Sequence, residues 1–147
     1  MTKNHLKAAL RIAVLTAVFA GMGAFVLWDY KRVAKDFSAL KTLLEDARYQ
    51  AATKDQALVV RFLDDQVEVT DKVSGEIIGM LSISTLNQVN YDTTLGDNMI
   101  VFNGRGTSDF NKRVHGGDIR LRSWFAFERN IAVNCTGLVT EGVYPNE

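Results

Sequence analysis

The longest apolar run in the chain lies near its start. Residues 12–28 read IAVLTAVFAGMGAFVLW, which is seventeen positions without a charged side chain. At 1.5 Å per residue, a helix of this length spans about 26 Å of the ~30 Å hydrocarbon core of a bilayer. Lys7 and Arg11 are among the basic residues that precede the run. The positive-inside rule therefore predicts a basic cytoplasmic segment 1–11, followed by a transmembrane helix over 12–28.

A cleavable secretion signal is the alternative interpretation of this run. A basic start, an apolar segment and a small residue such as Gly21 or Gly23 near the cleavage point are typical of such signals. The sequence after Trp28, however, continues in helical rhythm, without proline or glycine until Gly75. A peptidase site normally lies in extended chain, so this continuity favours an uncleaved anchor.

Small residues recur within the apolar run at helical spacing. Ala17 and Gly21 are four positions apart, as are Ala20 and Ala24, so each pair shares one face of a helix. Such pairs allow two membrane helices to approach closely, and we predict that these four residues pack against neighbouring helices. The alternative is that they reflect only the general abundance of glycine and alanine in membrane helices.

Beyond the apolar run, the pattern predicts that the helix continues as an amphipathic segment over 29–53. Its apolar residues are spaced 4, 3, 4, 3 and 4 apart and therefore form one stripe, which we expect to pack against a sheet. An unbroken helix from about Leu6 to Thr53 would be ~72 Å long. A coiled-coil stalk is the alternative, but the stripe covers fewer than three heptads. The stripe consists of Val33, Phe37, Leu40, Leu44, Ala47 and Ala51.

After Thr53 the hydrophobic period changes from about 3.6 to 2, which indicates strands. The first two strands form a hairpin across Leu63, Asp64 and Asp65. The predicted fold class is α+β, with the long helix packed on a small, mainly antiparallel β-domain over 54–147. The predicted strands are Ala57–Phe62, Gln66–Thr70, Glu76–Leu81, Gln88–Tyr91, Met99–Phe102, Asp118–Phe127, Asn130–Asn134 and Leu138–Val143.

Basic residues are concentrated around the longest predicted strand, Asp118–Phe127. Strict alternation would place Ile119, Leu121, Phe125 and Phe127 on its core face. The opposite face would then expose arginines beside a tryptophan, a combination suited to a phosphate backbone and a stacked base. An ordinary solvated face, or a docking face for another subunit, is the alternative that we prefer. The candidate DNA or partner contacts are Lys112, Arg113, Arg120, Arg122, Trp124 and Arg129.

Charge is balanced overall but unevenly distributed. There are 17 Lys/Arg and 17 Asp/Glu, yet residues 1–35 carry six basic and one acidic residue, whereas residues 36–147 carry eleven and sixteen. The two parts are therefore expected to meet different surroundings. The single cysteine, Cys135, excludes an internal disulfide and a multi-cysteine metal site, and two histidines cannot build a histidine-rich one.

The short patterns that resemble catalytic motifs do not form a coherent site. Ser38 and Lys41 fit the S-x-x-K pattern, but no second motif of that enzyme class follows. Asp64 and Asp65 are adjacent in a turn and would point to opposite sides, and His115 has no acidic or cysteine neighbour. We therefore predict that the protein is not an enzyme and has neither a resident cofactor nor a small-molecule substrate.

One metal hypothesis stays open at this stage. Asp92, Asp97 and Asn98 lie in one predicted loop and carry the oxygen ligands that Ca²⁺ prefers. Their spacing does not fit an EF-hand, so a solvated loop is the favoured interpretation.

Three segments, taken in order, resemble one known family. Leu43–Ala51 (LLEDARYQA) contains leucine followed by Ala-Arg-x-x-Ala; Ile100–Thr107 contains Phe-x-x-x-Gly; and Ile131–Val139 (IAVNCTGLV) contains Ile-x-Val-x-x-Thr-Gly-x-Val. With the membrane helix in front, these segments resemble the GspH/FimT group of minor type IV pilins and type II secretion pseudopilins. The start differs from that family's pattern, because it lacks the Gly-Phe cleavage site and has no acidic residue before Asp29.

The resemblance implies a structural subunit of a type II secretion or type IV pilus assembly. Its expected partners are other pilins or pseudopilins and the bacterial inner membrane, with the C-terminal domain in the periplasm or outside the cell. The unusual start predicts a specialised member whose N-terminus remains as an uncleaved anchor. The alternatives are a signal-anchored extracytoplasmic binding module and a DNA-binding minor pilin.

Overall fold

The computed structural model describes residues 3–91, 95–96, 98–110 and 116–143. Within these ranges the chain forms one long helix, α1 (Lys3–Lys54), and then only strands. The predicted α+β class is confirmed. The strands are β1 (Leu58–Phe62), β2 (Gln66–Asp71), β3 (Ile77–Ser82), β4 (Leu86–Tyr91), β5 (Met99–Phe102), β6 (Ser108–Asp109), β7 (Gly116–Arg122), β8 (Glu128–Asn134) and β9 (Val139–Glu141).

Helix α1 is 52 residues long and ends in a defined cap. The amide of Gln56 donates to the carbonyl of Ala51 at 3.1 Å, and Asp55 between them has a left-handed φ of 49°. This is the hydrogen bond of a Schellman motif, which satisfies a carbonyl that the helix end would otherwise leave free. The cap turns the chain back along the helix, so that β1 starts beside it.

The apolar stripe of α1 packs into the centre of the β-domain. All six residues of the stripe are buried, and Leu40, Leu44 and Ala51 are completely inaccessible. They belong to one core cluster with inward-facing residues of both sheets, among them Phe102 and Ile131. Burial of each leucine contributes about 1.5–3 kcal/mol, so the stripe is a main link between helix and sheets.

The β-domain consists of two antiparallel sheets, a division that the strand pattern does not predict. The first has the order β3-β2-β1-β5-β6 and the second the order β4-β7-β8-β9. The short strand β6, which is absent from the predicted strands, lies where the sheets meet. There the Ser108 amide donates to the Cys135 carbonyl at 3.2 Å, and the Ser108 hydroxyl donates to the Asn134 carbonyl at 2.6 Å.

The prediction of a continuous strand over Asp118–Phe127 is wrong. Strand β7 ends at Arg122, and residues 124–126 form a three-residue loop closed by a hydrogen bond of 2.9 Å from the Ser123 amide to the Phe127 carbonyl. Ala126 adopts φ 60°, the left-handed conformation usual for the last residue of such a loop. We call residues Ser123–Phe127 the β7–β8 loop. Because the strand has ended, its aromatic residues do not share the alternating faces of β7.

Candidate functional site

The part of α1 that precedes Asp29 extends beyond the β-domain. Its large apolar side chains are exposed. Within the described residues, α1 is the one helix long and apolar enough to cross a membrane, and only 6% of its most apolar window is buried. Phe19 is 69% exposed and Leu15 is 57% exposed. Exposure of this many large apolar side chains is unfavourable in water, so the segment needs an apolar environment.

The small residues of this segment lie on the side of α1 opposite to its buried stripe. At about 100° per residue, Ala17, Ala20, Gly21 and Ala24 point roughly 120–180° away from Leu44, which lies in the core. A Cβ built on Gly21 would have no atom within 4 Å. The contacts of this chain therefore do not require a glycine there, although glycine costs about 1 kcal/mol relative to alanine inside a helix.

A buried carboxylate joins α1 to the β7–β8 loop directly after the apolar run. The side chain of Asp29 is inaccessible; its Oδ1 accepts from Arg32 Nη2 at 2.9 Å, and its Oδ2 accepts from the Phe125 amide at 3.1 Å. Burial alone raises the pKa of Asp29, but the Phe125 amide, the Ser123 hydroxyl and the charge of Arg32 together lower it below the ordinary 3.8. Asp29 is therefore charged at neutral pH.

Around this carboxylate, four aromatic rings and one guanidinium form a group that we call the boundary cluster. The Phe25 ring lies 5.5 Å from Trp28 and 5.7 Å from both Trp124 and Phe125. The guanidinium of Arg32 lies 5.2 Å from the ring centre of Trp28 and 4.8 Å from that of Trp124. Stacked, edge-on and cation–π contacts of this kind add to the attachment of the loop to the helix.

A second polar contact joins α1 to the connection between β3 and β4. Asp36 Oδ2 accepts from the Thr85 hydroxyl at 2.8 Å and from the Ser84 amide at 3.1 Å. Together with Asp29, this carboxylate fixes the rotation of the helix relative to the second sheet. The sequence pattern predicts neither contact, because the partners lie far away in the chain; an acidic residue directly after the apolar run was the available signal for Asp29.

The three segments that carried the family resemblance meet at one point. Arg48 on α1 donates through Nε to the carbonyl of Gly106 at 3.1 Å. Gly137, in the β8–β9 turn, has φ +76°, and a Cβ there would overlap that same carbonyl oxygen. The arginine and the two glycines thus belong to one packing arrangement between the helix end and the two sheets.

The candidate DNA-contacting residues do not form one free basic face within the described chain. Arg122 Nε lies 3.4 Å from Glu128 Oε1, and Arg129 Nη1 lies 3.7 Å from Glu141 Oε1. Arg120, on β7 with Arg122, is half-buried, whereas Trp124 belongs to the boundary cluster. Lys112 and Arg113 lie outside the described residues, so their part of the hypothesis stays a prediction.

In the part of the chain that the structure describes, no group of side chains supports the metal or the catalytic hypothesis. No three His, Cys, Asp or Glu side chains there converge as metal ligands. Asp92, Asp97 and His115 fall outside the described residues, and the calcium hypothesis stays a prediction. Asp64 and Asp65 are both exposed in the β1–β2 turn.

Comparison with solved structures identifies the fold. The chain is similar to the type IV minor pilin FimU of Pseudomonas aeruginosa (strain PAO1), with a TM-score of 0.58 and 12% identity over 80% of this chain and 91% of that one. A second crystal form of the same pilin has a TM-score of 0.52 and 12% identity over 74% and 91%. No protein-family model and no curated protein matches the sequence. The pilin-like fold implied by the sequence resemblance is confirmed.

Proposed function

We propose that this chain is a membrane-anchored, minor pilin-like subunit of a type IV pilus or type II secretion assembly. The observation that carries the proposal is the division of α1 on a pilin-like fold: the C-terminal part packs into the core of the β-domain, and the apolar residues 12–25 are exposed. Residues 12–28 cross the bacterial inner membrane in this account, and the β-domain lies in the periplasm.

The partners in this proposal are the N-terminal helices of other pilins or pseudopilins. By helical spacing, Ala17, Ala20, Gly21 and Ala24 lie opposite to the buried stripe of α1. Ala17 and Ala20 come eight and five residues before Phe25, which contacts the β7–β8 loop, so a neighbouring helix reaches them without meeting that loop. Close backbone approach then supplies the van der Waals contact that holds membrane helices together. The role is one of assembly, without catalysis and without a resident cofactor.

The N-terminus in this account stays attached as an anchor. Residues 1–28 contain no acidic residue, and Asp29 binds Arg32 and the Phe125 amide. The chain thus enters an assembly through its helix surface and β-domain, without an acidic residue inside the membrane.

Bulky substitutions on the small-residue face test the proposal. We expect Ala20→Leu and Gly21→Leu to reduce co-purification of other pilin-type subunits about tenfold, which corresponds to ~1.4 kcal/mol. Met22→Leu is the matched control, since Met22 is 58% exposed on the side nearer the β-domain and the change conserves volume. Equal co-purification of all three variants would argue against helix packing through this face.

A further inference from the structure

The boundary cluster leaves much apolar ring surface uncovered. Trp124 is 70% exposed, Trp28 50%, Phe125 45% and Phe25 42%. An exposed, contiguous aromatic patch on a protein marks a surface that another phase or molecule covers. The rings contact one another, so they present one surface rather than four separate side chains.

The position of the cluster along α1 is fixed by its ring contacts. Phe25 lies inside the uncharged run 12–28, three residues before its end, which is about 4.5 Å along the helix axis. Trp124 and Phe125 touch that same ring, although they come from the β-domain. The β7–β8 loop therefore reaches back to the level at which the helix enters the bilayer.

The loop is held at this level by polar contacts as well as by its rings. The Phe125 amide is bound to Asp29, and the Phe127 amide donates to the Ser123 hydroxyl at 3.0 Å. Since Asp29 is fully buried, these bonds are shielded from water. The 70% exposure of Trp124 is thus a feature of a fixed loop, with the indole presented outward.

The charges around the cluster complement a phospholipid surface. Lys31 and Lys35 are exposed on α1 directly beyond the apolar run, where lipid phosphates lie once residues 12–28 span the bilayer. Tryptophan and tyrosine favour this interfacial depth because their rings are apolar and their edges polar. Tyr30 lies in the same turn, with its ring 5.5 Å from Phe127.

We propose that the β7–β8 loop inserts Trp124 and Phe125 into the headgroup region of the bilayer that α1 crosses. The occupant of the aromatic patch is the phospholipid surface, and the loop holds the β-domain against it. This inference rests on the membrane anchoring within the proposed function.

Depth-dependent fluorescence quenching tests the proposal, because the chain has only two tryptophans. The Trp28→Phe variant of the full chain, reconstituted in liposomes, leaves Trp124 as the sole tryptophan, whose emission is excited selectively over that of the tyrosines. We expect lipids brominated near the headgroup end of the acyl chains to reduce its emission at least about twofold, and aqueous iodide to have little effect. Strong quenching by iodide without quenching by bromolipid would overturn the proposal.

Two reporters in the Trp28→Phe, Trp124→Phe background separate the possible failures. Val73→Trp is the distal control: Val73 is 92% exposed beside Lys72, whose amide bonds to Ala57 at the far end of α1. The emission of this tryptophan should be quenched by iodide and not by bromolipid. Phe19→Trp reports on the anchor, and its quenching by bromolipid while Trp124 is not quenched would overturn the loop inference alone. Failure of both would overturn the anchoring too, and shielding of Trp124 from both quenchers would overturn the loop inference by assigning the patch to a second copy of this chain.

Discussion

The carboxylate of Asp29 accepts a hydrogen bond from the backbone amide of Phe125, 96 residues further along the chain, at 3.1 Å. The bond connects the turn of α1 that follows the apolar run to the tip of a β-hairpin. Because the same carboxylate binds Arg32, its two oxygens have different partners. This arrangement fixes the β-domain on the helix next to the apolar run, whereas the apolar stripe fixes it further along.

Removal of this carboxylate should destabilise the β-domain. In Asp29→Ala the Phe125 amide and the Arg32 guanidinium both lose their acceptor, and a buried donor without a partner is unfavourable. We expect the urea midpoint of the full chain in detergent to fall most for Asp29→Ala and less for Asp29→Asn, which retains one acceptor oxygen. Asp46→Asn is the control, because Asp46 is exposed on the same helix; three equal midpoints would contradict the role given to Asp29.

In acid, the free energy of unfolding should depend on the protonation of Asp29. Its pKa in the folded state lies below 3.8, because the Phe125 amide, the Ser123 hydroxyl and Arg32 outweigh the effect of burial. The stabilisation is therefore complete above about pH 4 and is lost as the pH falls through the lower folded-state pKa. Urea unfolding between pH 2 and pH 6 should show a steeper acid loss for the wild type than for Asp29→Asn. Parallel curves would contradict this prediction.

Gly75 and Gly137 have nearly equal φ angles. Replacing each by alanine should nevertheless destabilise the protein to very different extents. Gly137 has φ +76° and Gly75 has φ +72°, but a Cβ at Gly75 meets nothing, whereas one at Gly137 meets the Gly106 carbonyl. We expect Gly75→Ala to cost about 1–2 kcal/mol from the backbone angle alone, and Gly137→Ala to cost at least ~2 kcal/mol more from the overlap. Equal losses in urea unfolding would show that the contact with Gly106 is unimportant.

The helix stripe should be the most sensitive part of α1 outside the membrane run. Leu44 is completely buried, so Leu44→Ala leaves a cavity and should cost about 2–5 kcal/mol. Tyr49 is 70% exposed on the same helix, and Tyr49→Ala should change the free energy of unfolding by ~0.5 kcal/mol or less. Both values can be read from urea unfolding followed by near-ultraviolet circular dichroism. A small loss for Leu44→Ala would indicate that the helix does not pack as the structure describes.

Sequence patterns predicted the elements that local periodicity determines. The long helix and the β1–β2 hairpin are confirmed because 3.6-residue and 2-residue periods differ clearly over these lengths. Alternation failed at Ser123–Phe127, where Phe125 and Phe127 keep the two-residue spacing of Ile119 and Leu121 although the backbone has already turned. The left-handed Ala126 has no residue-type signal, since glycine or asparagine usually marks such a position.

The hydrophobic pattern does not predict contacts between residues that lie far apart in the chain. The division into two sheets depends on which strands pair, for example β1 with β5, and strand periodicity carries no such information. Asp29 could be singled out only by its place after the apolar run, because its partner on the β7–β8 loop is a backbone amide. The helix stripe, by contrast, was visible in the sequence because all its members lie on one element.

The most direct test of the assembly role is photo-crosslinking in cells from probes placed singly at Ala17 and Ala20, with Leu15 and Met22 as probes on the opposite face. Mass spectrometry then identifies the partners and the intact N-terminus. The account predicts crosslinks from Ala17 and Ala20 to the N-terminal helices of other pilin-type proteins, few from Leu15 and Met22, and an uncleaved start. A membrane-embedded chain that forms no such crosslinks from either face would contradict the proposed role in a pilus or secretion assembly.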